Sequence, residues 1–186
     1  ILTKIGAGTL ALTNANTYSG GTRLDLGTLS VGNNTSLGTN TLTFETNSGN
    51  ILQSGAAALN VANTIALTTN GSIDSNGNIF TLSGGISGPS ILTKIGTGTL
   101  VLPNANTYGG GTHLNQGTLQ IGNTGAIGAG TLTFGGVNGN ILDAPLNATL
   151  TNSIVFNTSG VINPDVNTLV LSGNISGGST LTKEGS

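Results

Sequence analysis

The side chains equipped for chemistry are few and lie far apart. The chain has one histidine, His113, six carboxylates (Asp25, Glu45, Asp74, Asp143, Asp165 and Glu184) and no cysteine. A metal or proton-transfer site needs a histidine with Cys, Asp or Glu at ligand spacing. His113 has no such neighbour, and the residue matching it in the first half of the chain is Arg23. Glycoside cleavage needs a pair of carboxylates, yet none of the six recurs at an equivalent place in the two halves, so only a pair assembled across the fold could supply one. The glycine-rich "YSGGT" (18–22) and "YGGGT" (108–112) lack the Lys-Ser/Thr ending and following helix that phosphate binding requires. Tyr18 and Tyr108 have two readings, as stacking surfaces for sugars or as covers over the end of a core with a partner for each hydroxyl; corner glycines beside them favour the second. Thr-x-Thr pairs at Thr41 and Thr43, Thr131 and Thr133, and Thr180 and Thr182 could form a flat hydroxyl array for ice or crystalline polysaccharide. The wide gaps between pairs favour ordinary outward-facing strand residues. The expectation is a protein without catalytic, metal-binding or cofactor-binding residues, and no enzyme.

Composition points the same way. Of 186 residues, 35% are hydrophobic but only 3% aromatic and 5% charged, against roughly 25% charged in ordinary soluble domains. Disorder goes with low hydrophobicity and high net charge; a mean hydropathy of +0.20 and a net charge of −2 predict a folded chain. Four Lys+Arg offer no basic patch and few aromatics offer no stacking platform, which argues against nucleic acid as a partner. The 32 glycines have no Gly-X-Y period and read as turn punctuation. No run reaches 18 apolar residues, and the opening "ILTKIGAG" lacks the basic-then-apolar order of a signal peptide.

The strongest signal is self-similarity. Residues 1–52 match 91–142 without a gap, with 33 of 52 positions identical; after a one-residue deletion between Ser54 and Asn60 the offset becomes 89, and "TLTKEGS" (180–186) opens a third copy. This predicts a first unit over 1–90, a second over 91–179 and the start of a third over 180–186, all in one continuous structure. Within each unit, runs such as "GTLALT" (8–13), "TRLDLGTLSVG" (22–32) and "NTIALT" (63–68) alternate apolar and polar residues between Gly, Asn and Ser, the pattern of half-buried strands. The Ala-rich "SGAAALNVAN" (54–63) reads as a loop leading into a strand rather than a helix.

Two all-β architectures compete. A sandwich usually places aromatic anchors between facing sheets. A solenoid stacks coil on coil, with aliphatics filling one narrow bore, and the composition favours it. Leu10, Leu12, Leu24, Leu26, Leu29, Val31, Leu42 and Phe44 are assigned inward, as are Leu100, Leu102, Leu114, Leu119, Ile121, Leu132 and Phe134; the change of Leu26 to Gln116 just before a turn marks that position as a corner. Such a bore leaves little room for Trp or Tyr. The pairs Gly20–Gly21 and Gly110–Gly111 are expected to supply positive φ at sharp corners. At 20–25 residues per coil each unit holds about four coils.

"GAGTLALTNANTYSGGTRLDLGTLSVG" and "GTGTLVLPNANTYGGGTHLNQGTLQIG" resemble the passenger-associated transport repeat, also called the autotransporter-associated β-strand repeat, with its pattern G-x-G-T-L-x-L, N-x-Y-x-G-G-T and G-T-L. The matching residues are Gly8, Thr9, Leu10, Leu12, Asn16, Tyr18, Gly20, Gly21, Thr22, Gly27, Thr28 and Leu29, and then Gly98, Thr99, Leu100, Asn106, Tyr108, Gly110, Gly111, Thr112, Gly117 and Leu119. The resemblance implies an all-β, right-handed parallel β-helix, part of a bacterial protein that is secreted or held at the outer-membrane surface and a repeat that assists export. The function expected is a structural stalk projecting a distal region, with two alternatives: an adhesin that binds glycans or host proteins through its flank, or the subunit of an extracellular fibre. Expected partners are neighbouring repeats or end-to-end copies, and a host surface or glycans, with no small-molecule substrate.

Overall fold

The computed structural model describes residues 1–46 and 49–186. Its regular elements are all strands, each of two to five residues, and every strand pairing is parallel. Parallel neighbours need a long crossover between them, and here that crossover is one circuit of the chain. Leu2 pairs with Thr22, Thr22 with Leu42, Leu42 with Ile65 and Ile65 with Ile86, so successive coils take 20, 20, 23 and 21 residues. In the second half Leu92, Thr112, Leu132, Ile154 and Ile175 repeat the series with steps of 20, 20, 22 and 21. The deleted residue therefore falls in the long third coil. The architecture is a parallel β-solenoid, as the composition predicts.

Three faces run along it. The first sheet contains Leu2–Lys4, Thr22–Leu24, Leu42–Phe44, Ile65–Leu67 and Ile86–Ser87. Beyond Ile86 this face continues through irregular chain: Thr107 N donates to Ile86 O (2.9 Å) and Ala129 N to Tyr108 O (3.1 Å), before a two-stranded pair of Ala148–Leu150 and Leu169–Leu171. The second sheet has nine strands, from Thr9–Leu12 to Ile175–Gly177. The third has seven, from Leu59–Val61 to Leu181–Lys183. Strands that open the three copies of the repeat, Leu2–Lys4, Leu92–Ile95 and Leu181–Lys183, lie in the first, second and third sheets respectively.

Alternation sorts the side chains. Leu24, Leu29, Val31, Leu42, Phe44, Leu52 and their counterparts Leu114, Leu119, Ile121, Leu132, Phe134 and Leu142 are wholly buried, and burying each contributes about 1.5–3 kcal/mol. Leu10 and Leu12 are half-buried in the first coil, packed on the same core. Leu26 is half-buried, at the corner that its exchange for Gln116 predicts. Two expectations need correction. The core does admit a tyrosine, Tyr108, which is buried along with Phe44 and Phe134, the two rings expected inward, and Phe80 and Phe156, with Phe134 and Phe156 stacked at 4.5 Å. A ring fits because the coil above offers a glycine: a Cβ on Gly71 would meet Phe44, and one on Gly160 would meet Phe134. Finally, only Gly21 (φ 80°) and Gly111 (φ 95°) of the two glycine pairs have positive φ; Gly110 is needed because a Cβ there would strike the Ser90–Ile91 backbone.

Candidate functional site

The repeat motif builds the corners between coils. At the first corner the lysine of "LTK" turns inward. Lys94 is fully buried and its Nζ donates to the carbonyl oxygens of Ile95 (2.9 Å), Gly96 (2.7 Å) and, from the next coil, Gln116 (3.0 Å). An ammonium has three N–H donors, and all three are used. Lys4 repeats the arrangement with Ile5 (3.2 Å), Gly6 (2.6 Å) and Leu26 (2.8 Å). Lys183, in the third copy, is exposed and donates to Gly185 O at 2.6 Å. Burial pulls Lys94 down to about 8, with the carboxylate of Asp74 opposing the fall. The next coil closes on this corner through Gly27 (φ 80°) and Gly117 (φ 77°): a Cβ on Gly27 would come within 2.5 Å of Gly6 O, and one on Gly117 within 2.5 Å of Gly96 O.

The "NANTY" segment forms the second clamp. Asn16 and Asn106 donate from Nδ2 to Ser36 O (2.8 Å) and Ala126 O (2.6 Å), one coil on. The hydroxyls of Tyr18 and Thr22 meet at 2.7 Å, those of Tyr108 and Thr112 at 2.6 Å. Thr112 Oγ1 then donates to Ile127 O at 3.1 Å. Burial raises the Tyr108 hydroxyl pKa against the lowering effect of the Thr112 bond. Further along, Asn140 Nδ2 lies within 2.7–3.0 Å of the carbonyls of Leu114, Gly135 and Val137, and Asn152 bonds Gly128 O and Gly130 O as Asn63 bonds Gly38 O and Asn40 O. Thr9, Thr28, Thr99 and Thr118 point outward beside the buried Leu29, Leu100 and Leu119. Gly8 stands free of close contact, Gly98 lies against Asn78, and a Cβ on Gly20 would meet Ile1.

The titratable groups remain dispersed. His113 is half-exposed and stands outward between Thr93 and Thr133 on the second sheet. Arg23 forms an ion pair with Glu45 on the first. Gln53 donates to Asp74 (2.8 Å), and Gln120 (2.6 Å) and Asn163 (3.1 Å) donate to Asp143. Among the described residues no three His, Cys, Asp or Glu come together as metal ligands. A hollow of about 350 Å3 lined by Ile162, Leu169, Leu171 and Leu181 is the open core beneath the last coil. The arrangement binds its own chain. In each clamp at least one polar contact joins one coil to the next, from Lys94 to Gln116 O and from Asn106 to Ala126 O.

Two stretches, residues 2–31 and 92–121, match the family described as Passenger-associated-transport-repeat. The chain carries two passenger-associated transport repeats. Each match spans one full coil and half of the next, so it contains the donor side chains of both clamps and the glycine that closes the lysine corner. A curated relative, "Adhesin BmaC autotransporter" of Brucella suis biovar 1 (strain 1330), is 42% identical over 101 residues, which is 54% of this chain and 3% of that protein. The chain thus spans a small part of the relative it matches. No solved structure matches it significantly.

Sequence reasoning missed Lys4, Lys94, Asn140 and Asn152. A signal was available for the lysines: three of the four cations in the chain, Lys4, Lys94 and Lys183, occupy one repeat position. A cation kept that strictly in so uncharged a chain has a fixed partner. Asn50 and Asn140, Asn63 and Asn152 likewise recur unchanged.

Proposed function

We propose that this chain is a stalk segment of a surface or secreted autotransporter-type passenger, and that its transport repeats make each coil a template for the next. The observation that carries this reading is the direction of the motif's polar bonds, from the ammonium of Lys94 to Gln116 O and from Asn106 to Ala126 O, each reaching into the following coil. One coil alone cannot offset its backbone entropy of about 1–2 kcal/mol per residue. A coil landing on a formed neighbour gains both its buried face and its ladder at once. Such growth on the far side of a membrane draws the emerging chain outward. The role is mechanical rather than catalytic, and its partners are neighbouring repeats. Leu29→Asp with Leu119→Asp places charge in the core and should slow surface appearance of the parent protein at least several-fold in a protease-accessibility assay, while Thr3→Asp, on an outward position, leaves it unchanged. Equal display of the core variant and wild type would defeat the reading.

The name of the Brucella relative favours a second reading, an adhesin that meets host glycans or proteins along its flank. A glycan array with the intact chain separates the two. A stalk gives no signal, whereas an adhesive flank binds a defined set of sugars and loses them when outward residues such as Thr93 and His113 are replaced.

A further inference from the structure

Equivalent strands of successive repeats do not share a side of the molecule. Four coils carry the chain from Leu2 to Ile86 on the first sheet, and six more residues bring it to Leu92 on the second. Four further coils lead from Leu92 to Ile175, and six residues more to Leu181 on the third. One unit is therefore four and a third turns. Every feature of the unit moves with it. Phe44 lies on the first sheet, while its counterpart Phe134 lies on the second. The outward Arg23 with its partner Glu45 stands on the first face, and their counterparts His113 and Gly135 on the second.

We infer that the unit length is a rotational element: an array of such units turns each copy by one face, so that a surface feature of the repeat looks to all three sides in turn. Three units make 13 turns, three times four and a third, and return a feature to its first side after about 62 Å at about 4.8 Å per strand. A shaft built this way presents the outward residues of its repeat, Arg23 and its counterpart His113 among them, to a partner approaching from any direction. Only that use rests on the stalk reading; the geometry does not.

Because the chain has no cysteine, introduced pairs can carry spin labels. Thr3 and Ser87 share the first sheet four coils apart, so T3C/S87C should read about 19 Å between backbone sites. T3C/T93C, nearly the same distance along the axis, should be longer by more than one strand spacing in electron–electron double resonance. A T3C/T93C distance within about 2 Å of the same-face pair overturns the inference, and a same-face pair far from its expected value removes the coil stack on which it stands. The second measurement adds one unit, by repeating residues 91–179 once more after Ser179. Gold labels at Thr3 and at the parent's Thr182, which the insertion of 89 residues moves to position 271, should then lie along one edge of each rod in electron micrographs, and on different faces in the parent chain. The same relative placement in both chains contradicts it. Display of the Leu29→Asp, Leu119→Asp variant is scored separately, so failure of the stalk reading leaves these distances interpretable.

Discussion

Lys94 carries a charge into a core of aliphatics, and three carbonyl oxygens receive it there. Its lowered value near 8, against 10.5 in the unfolded chain, means that between these values the unfolded state holds more protons. Stability therefore rises with pH from about 8 upward and is flat below, where both states are protonated. The raised Tyr108 works the other way only above about pH 10, where tyrosines of the unfolded chain ionise. Urea unfolding at pH 7.5 and 9.5 should thus show a gain on the order of 2 kcal/mol, and Lys94→Met should abolish most of that gain. Tyr108→Phe should cost about 1 kcal/mol, the net worth of a buried hydrogen bond, since Thr112 keeps Ile127 O. The amide–carboxylate pairs are tolerant in a different way: Gln53 donates to Asp74, whereas their counterparts Asp143 and Asn163 keep the bond with donor and acceptor exchanged. Drift of the two carboxylates between units, which removed them as candidates for catalysis, is this exchange.

At the scale of the strands, the inward aliphatics were legible because a period of two needs no knowledge of the partner strand. Leu29, Leu42 and Phe44 are buried as that alternation predicts. What could not be read is how one coil fits another. Phe134 is accommodated by Gly160, 26 residues on, and Tyr108 by a hydroxyl at Thr112 within a bend that only the folded coil creates. Lys94 went unread for the same reason, since one of the carbonyls that receive its ammonium belongs to the next coil. Complementarity of ring and glycine gives a test. Gly160→Leu forces a side chain against Phe134 and should destabilise by about 1–3 kcal/mol, with a loss of midpoint in urea; the same change at Gly85, which has open space around it, should cost much less.

For the whole molecule, the coil lengths matter more than any one residue. Steps of 20, 20, 23 and 21 residues set how far each repeat turns, and no local pattern reveals them before the coils are stacked. The claim beneath the stalk, the clamps and the rotation alike is that coils stack coaxially in parallel register. Methyl–methyl nuclear Overhauser contacts in a chain labelled at Leu, Val and Ile test it most directly. The account predicts an unbroken ladder from Leu100 to Leu119, Leu119 to Leu142 and Leu142 to Ile162, with Leu29 touching Leu52 at the other end. Contacts whose sequence separation shrinks steadily toward a turn, the mark of antiparallel hairpins, would contradict it.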